Sequence, residues 1–210
     1  MSNEYEELAR LGSATVHESA GRTGVIDKEL VQVIPGSRVA GPARTVRCGQ
    51  GDNLMVHAVL DRVQPGDVVV LTMPEPAPVA LVGELLATQF KVRGAAAILV
   101  DASIRDREEL VELGLPIWAS YVRVTGAVKN EIGTIDEPVE VGGTVVNPGD
   151  LVVLDADGGV AIERDRVPEV LESARQRAER ERVKRAKLEA GALSYDLDGL
   201  RDLVEGTTTS

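Results

Sequence analysis

Apolar and polar positions alternate in short blocks along this chain rather than in long periodic stretches. Glu4 to Leu11 carries apolar residues at helical spacing, and Ser13 to Ala20 predicts a second helix that Gly21 and Gly24 end. Arg38 to Cys48 reads as a strand interrupted at Gly41-Pro42. Val68 to Thr72 and Ala95 to Val100 are apolar runs of strand length with no polar face, as expected of strands covered on both sides. A helix over Leu54 to Arg62, with Asp52 or Asn53 as its cap, and a Gln64-Pro65-Gly66-Asp67 turn precede the first of these runs. Leu115 to Tyr121, which holds the lone Trp118, predicts a further strand, and Val122 to Thr134 a glycine-broken one. Pro138 to Val146 and Leu151 to Ile162 read as short strands punctuated by turns. The Asp155 to Gly159 turn resembles part of a calcium loop but lacks the twelve-residue pattern with its closing Glu. A charged helix with one narrow apolar stripe closes the chain at about 165–190. The pattern predicts a single α/β domain over 1–205 with a layered or barrel-like β core, then a disordered tail at 206–210. No G-x-G-x-x-G opens a helix after a strand, so a doubly wound dinucleotide fold is excluded.

One stretch concentrates the chemistry: GELLATQFKVRGAAAILVDASIRD, Gly83 to Asp106. It predicts a helix, a stop at Gly94, a buried strand and a loop ending in Arg105-Asp106. A helix that starts at Gly83 leaves its first N–H groups unpaired, and these attract a carboxylate or phosphate. Arg105 offers a planar fork for a carboxylate or enolate oxygen. Asp106 offers a hard oxygen ligand of the kind Mg²⁺ prefers. Glu84 adds a carboxylate able to hold a metal-bound water. Together these groups suit a small 2-oxo acid. The plainer reading of Asp106 is an N-cap for the helix that follows. His17 lacks a clustered partner in sequence and reads as a surface or capping histidine, and His57 reads as structural, at a subunit contact. The Met73 to Pro78 loop, with three prolines, either crosses the site or is a rigid linker.

Composition narrows the classes. Acidic residues outnumber basic ones, 34 to 23, giving a formal charge of −11 over 210 residues. That disfavours nucleic acid as a partner, and one Phe, one Trp and three Tyr leave little to stack bases on. The single cysteine, Cys48, excludes an intrachain disulfide and reads as a small buried hydrophobe. No apolar run approaches the roughly 20 residues of a membrane span, and the acidic N-terminus is unlike a signal peptide, so a cytoplasmic protein is expected.

The stretches GSRVAGPARTVRC, GDNLMVHAVL, QPGDVVVL, the Gly83 to Asp106 segment, GTVVNPGDLVVLDADGGVAI and RAKLEAGALSYDLDGLR resemble the class II pyruvate aldolases. These cleave 4-hydroxy-4-methyl-2-oxoglutarate and 4-carboxy-4-hydroxy-2-oxoadipate. The same family contains the RraA proteins, regulators of ribonuclease E activity. The resemblance implies a swivelling β/β/α fold and a homotrimer or dimer of trimers, with active sites between subunits. It places the pyruvyl carboxylate on Gly83, Glu84, Leu85 and Leu86, the substrate and its enolate on Arg105, and Mg²⁺ or Mn²⁺ on Asp106. The family's catalytic acid, twenty-one positions before the arginine, is Glu84 here. RraA proteins tend to carry glycine there, so Glu84 favours an aldolase over a regulator. The glycines usual just after the strand are replaced by Ala102-Ser103. A further acid from the neighbouring subunit's last helix is Glu179 or Glu181. The implied reaction is retro-aldol release of pyruvate, with oxaloacetate decarboxylation as a side activity. The alternative is a non-catalytic, RraA-like protein-binding regulator.

Overall fold

Strands buried on both faces need a layer on each side, and the chain supplies both. In the computed structural model, which describes residues 3–206, helices α1 (Asn3–Leu11) and α2 (Ser13–Ser19) open the chain. Strands β1 (Val25–Ile26), β2 (Val31–Gln32) and β3 (Val39–Arg47) follow. Strands and helices then alternate: α3 (Leu54–Val59), β4 (Val68–Thr72), β5 (Ala80–Val82), α4 (Glu84–Val92), β6 (Ala97–Ile104), α5 (Arg107–Leu113) and β7 (Ile117–Val122). Five short strands come next: β8 (Thr134–Ile135), β9 (Val139–Val141), β10 (Thr144–Val146), β11 (Leu151–Asp155) and β12 (Gly158–Ile162). Helices α6 (Val167–Glu189), α7 (Ser194–Leu197) and α8 (Leu200–Glu205) close the chain. The tail at 207–210 lies outside the described residues.

The main sheet runs β1-β12-β11-β3-β4-β6-β7-β2, with β5 added beside β6 and β8 beside β3. Its centre, β3-β4-β6-β7, is parallel, and its flanks are antiparallel. Side chains alternate between two cores along each central strand. Val69 and Leu71 of β4 face α3, α4 and α5, whereas Val68 and Val70 face the β9–β10 hairpin and Trp118. A third core lies under α1, α2 and the first turns of α6. The fold is a mixed sheet flanked by helices, with a smaller β layer on the other side.

Three strand readings differ from the structure. Val122 to Thr134 is not a strand: between the end of β7 at Val122 and the start of β8 at Thr134 the chain makes only isolated bridges, at Gly126 and Val128. β3 is continuous through Gly41-Pro42 because it changes partners there: Pro42 pairs with Leu151, and Ala43 pairs with Val68. Gly41 permits the crossing, since a Cβ on it would lie 2.3 Å from the Gly66 carbonyl oxygen. β6 runs on to Ile104 although Asp101 and Ser103 interrupt its apolar run. Both are buried and satisfied: Asp101 accepts from Lys28 Nζ and from Ser120 Oγ (2.7 Å), and Ser103 Oγ donates to the Ile104 carbonyl. Cys48 is buried, and burial followed by the nearby Asp52 pushes its thiol up to about 12, so it is inert as a nucleophile. The Asp155 to Gly159 turn is a hairpin loop whose acid is structural. Asp155 accepts from the Ser13 N–H and Oγ and from the Asp157 N–H.

The chain divides into two compact units, one through Ala174 and one from Arg175. The second is polar and rich in ion pairs, including Lys184 with Asp198 and Arg201 with Asp196 and Glu205. Among the described residues no helix is long and apolar enough to cross a membrane.

Candidate active site

β5 and β6 run parallel, and their ends deliver two loops side by side. The Arg105 N–H donates to the Val82 carbonyl at 3.1 Å, which sets Arg105-Asp106 against Gly83 at the start of α4. The fit leaves no room for a side chain at Gly83. A Cβ there would lie 2.5 Å from Asp106 Oδ2 and 3.2 Å from Arg105 Nε. Gly126 closes on Arg105 from another segment, where a Cβ would lie 2.8 Å from Nη1. The guanidinium therefore sits between two glycines, its side chain about half exposed (51%).

Asp106 occupies the N-cap position of α5 but does not cap it. Its backbone is left-handed (φ 59°, ψ 44°), and no side-chain cap bond is made. Instead Oδ2 accepts the Glu84 N–H at 3.1 Å and lies 3.7 Å from Arg105 Nε. A non-glycine residue held in this region costs roughly 1–2 kcal/mol; such strain concentrates at functional sites. Thus the acid that sequence alone reads most plainly as a cap is turned towards the neighbouring helix start and the guanidinium.

A cleft of about 200 Å³ opens at this point. Of the six residues singled out by sequence, Gly83, Leu85, Leu86, Arg105 and Asp106 line it. The sixth, Glu84, contributes its N–H to Asp106 but turns its carboxylate along α4, where it accepts from Thr88 Oγ1 at 3.2 Å. The Met73 to Pro78 loop does not line this cleft. Its Met73, Pro74 and Pro76 border a larger hollow of about 540 Å³ with Arg47 and the Lys28–Asp101 pair, on the opposite face of the sheet. Glu179 and Glu181 belong to the second unit, where they pair with Arg182 (2.7 Å) and Arg177 (2.8 Å).

Sequence reasoning missed a further part of the cleft lining, formed by Asn53, His57 and Lys129. The sequence offers Asp52 or Asn53 as the cap of α3 and His57 as a structural residue; Asp52 accepts the Leu54 N–H, and Asn53 makes no cap bond. The i, i+4 spacing of Asn53 and His57, which puts both on one face of α3, was the available signal. Asn53 is 7% exposed; its Nδ2 donates to the Leu81 carbonyl at 3.0 Å, and its buried Oδ1 has no partner among the described residues. Partial burial and then the charge of Lys129 lower the His57 pKa, so the ring is neutral at pH 7. Asp52, the neighbour of Asn53, is the clasp. It is 1% exposed and accepts from the N–H groups of Leu54, Asn130 and Glu131. Burial opposes its ionisation, yet these three donors and Lys129 hold its carboxyl below the usual range.

No three His, Cys, Asp or Glu residues gather as a metal cage among the described residues. The site nevertheless suits a hard divalent cation. Asp106 is an open carboxylate (39% exposed) at the cleft, and Mg²⁺ is commonly held by one or two carboxylates, with waters and substrate oxygens completing its shell.

This fold and this site define a member of the RraA-like group. The Aldolase/RraA family model matches residues 12–161, and the chain belongs to that family. A relative in Halalkalibacterium halodurans, named "Putative 4-hydroxy-4-methyl-2-oxoglutarate aldolase", is 36% identical over 140 residues, 67% of each chain. Among solved structures, Streptomyces coelicolor RraAS2, described as an unusual member of the RNase ES inhibitor RraA protein family, superposes with a TM-score of 0.78. It is 34% identical over 88% of this chain and 96% of that one. The RNA-processing inhibitor RraA from Thermus thermophilis gives a TM-score of 0.59 at 30% identity, covering 63% of this chain and 80% of that one.

Proposed function

We propose that this protein is a divalent-metal-dependent aldolase that cleaves a 4-hydroxy-2-oxo dicarboxylic or tricarboxylic acid and releases pyruvate. The substrates that fit are 4-hydroxy-4-methyl-2-oxoglutarate and 4-carboxy-4-hydroxy-2-oxoadipate. The observation that carries this reading is the joint placement of Gly83, Arg105 and Asp106 around one cleft, with the amide row of α4 beside them.

In this reading the free N–H groups of Leu85 and Leu86 take the pyruvyl carboxylate, helped by the α4 dipole. Arg105 donates to the 2-oxo oxygen and gains strength as that oxygen becomes an enolate, because a fixed guanidinium is already oriented when the charge develops. Asp106 would hold Mg²⁺ or Mn²⁺. When bound, the ion supplies Lewis-acid polarisation of the 2-oxo acid. Gly83 keeps both side chains close, and the bond from the Glu84 N–H fixes the Asp106 carboxylate. The same electron sink supports oxaloacetate decarboxylation. Assembly as a trimer or a dimer of trimers in the cytoplasm belongs to the same proposal, as does an acid lent by Glu179 or Glu181 of a neighbouring copy.

The RraA names of the structural relatives support a second reading, a protein-binding regulator without catalysis. A pyruvate-release assay with 4-hydroxy-4-methyl-2-oxoglutarate, with and without chelator, separates the two. Mg²⁺-dependent release is expected. It should fall by at least about a hundredfold in Asp106→Ala and Arg105→Lys, since an ammonium cannot replace a two-pronged fork. Turnover unchanged in both variants, or no pyruvate at all, overturns the aldolase reading.

A further inference from the structure

The large hollow on the other face of the sheet takes no part in the aldolase reading. Side chains two apart on a strand share a face. The face that buries Val70, Leu99 and Trp118 under the β9–β10 hairpin therefore carries Thr72, Asp101 and Ser120 one step further on. Arg47 pairs with Thr72, Leu71 with Val100, and Val100 with Ala119. Arg47, Thr72, Asp101 and Ser120 thus form one polar row towards the carboxyl ends of four parallel strands, the end at which α/β sheets bind ligands. The first three line the hollow of about 540 Å³. Its walls are fixed. Gln50 Nε2 donates to the Glu75 carbonyl (3.0 Å) and Gln50 Oε1 accepts the Glu75 N–H (2.9 Å), which holds the Met73 to Pro76 rim. The Asp27 N–H donates to the Gly142 carbonyl (3.1 Å), which holds the hairpin turn beside Lys28.

The row is polarised. At one end Arg47 is exposed, and its guanidinium makes no hydrogen bond or ion pair among the described residues. In the middle, Thr72 Oγ1 donates to the Val46 carbonyl (3.2 Å), so towards the hollow it can only accept. At the other end Asp101 is 3% exposed, and both of its bonds, from Lys28 Nζ and Ser120 Oγ, fall on Oδ1. Oδ2 takes no bond, yet it is not among the fully covered atoms left without a partner, so it keeps surface at the hollow. A carboxylate oxygen this deep without a donor is costly, and a ligand that brings one relieves it. Lys28, Arg47, Asp101 and Glu140 bring two charges of each sign to the lining. A simple anion would meet Asp101 and Glu140 beside Arg47, and a simple cation would leave Arg47 unused. We infer that this hollow binds an α-amino acid with a large apolar side chain. Arg47 takes the carboxylate through its fork, Asp101 Oδ2 and Thr72 Oγ1 accept from the ammonium, and Met73, Val139 and Val145 cover the side chain. The site lies across the sheet from Gly83, Arg105 and Asp106 and does not depend on the aldolase reading.

Calorimetry of the full chain with L-leucine and L-phenylalanine tests the site without turnover. At least one of them should bind. Loss of the ammonium (4-methylpentanoate, 3-phenylpropanoate) or of the carboxylate (3-methylbutylamine, 2-phenylethylamine) should each weaken binding by at least about tenfold, as one charge-assisted hydrogen bond provides. The matching 2-hydroxy acids should fall between the amino acid and the plain acid. Arg47→Met changes an exposed side chain and should keep the urea midpoint while weakening binding at least about tenfold; Arg47→Lys should keep part of it. Arg105→Met, in the cleft across the sheet, should leave amino-acid binding unchanged. No binding of either amino acid overturns the inference. So does binding that survives Arg47→Met, or that is lost in Arg105→Met. A plain acid or a hydroxy acid that binds as tightly as its amino acid overturns the part given to Asp101 Oδ2 and Thr72.

Discussion

The two walls of the cleft are built differently. The wall of Gly83, Leu85, Leu86, Arg105 and Asp106 comes from one strand–helix–strand unit, so its parts are neighbours in sequence or across one strand pair. The wall of Asn53, His57 and Lys129 joins a helix start to a loop more than seventy residues later. At that join one buried carboxylate, Asp52, accepts across 78 and 79 residues, beside backbone bonds of Val128 with Gly51 and Asn53. The first wall is held by steric fit with almost no slack. The second is held by the bonds of Asn130 and Glu131 to one side chain and by backbone bonds that link Val128 to Gly51 and Asn53. The first should therefore fail through small changes of volume, and the second through loss of one acceptor.

The largest effect should come from the least chemical substitution. Gly83→Ala adds one methyl, 2.5 Å from Asp106 Oδ2, and the backbone there is extended rather than left-handed, so the helix start itself tolerates alanine. Asp106 or α4 has to move. A shift of about 1 Å in a catalytic group costs on the order of a hundredfold. Pyruvate release by Gly83→Ala should fall by at least that factor while the urea midpoint changes little. Activity within a few-fold of the parent would mean that the fit at Gly83 is not what positions the two side chains.

Asp52 gives the next effect, on stability first. Asp52→Ala leaves three N–H groups without their acceptor, a loss on the order of 3 kcal/mol. Urea unfolding measures it. The sign with pH follows from the lowered carboxyl. The folded group ionises at a lower pH than the ordinary value of about 3.9, so its contribution is complete above that value and is lost as the pH falls through the folded one. Asp52→Asn cannot titrate and should flatten this acid limb of the stability curve.

The contrast between the walls also explains what could be read from sequence. The helix start at Gly83, the stop at Gly94 and the buried run that becomes β6 are local signals, and they place Gly83 and Arg105-Asp106 at the ends of one unit. The family resemblance then supplied roles for the same residues. The side-chain direction of Asp106 was not legible: a short acid before REELVEL looks the same whether it caps its own helix or bonds the N–H of Glu84. Lys129 gave no signal at all, because its position depends on bonds from its neighbours' N–H groups to Asp52 and Gly51 that no spacing encodes. In the fold, the strands of the parallel centre were readable as apolar runs. Their order was not, since β3 pairs with β11 and β4 on its two halves. The polar end of β6 was hidden for a related reason: Asp101 is tolerable in a buried strand only because Lys28 and Ser120, far away in sequence, reach it.

The smallest expected effect sharpens the division of labour on the first wall. The resemblance gives Glu84 the part of the catalytic acid, yet its carboxylate accepts from Thr88 Oγ1 and only its backbone N–H reaches Asp106. Glu84→Gln keeps the length, the Oε1 acceptor for Thr88 and the N–H. If Glu84 serves the site through its backbone, kcat should stay within about threefold of the parent, far from the 10²–10⁴ typical of a lost proton-transfer group. A hundredfold loss of kcat in Glu84→Gln would instead mean that the carboxylate leaves Thr88 when substrate binds and acts in the cleft. In that case Thr88→Val, which removes the competing donor, should raise turnover slightly rather than lower it. The pair of variants therefore distinguishes a helix start that works through its amides from one that also lends a side chain.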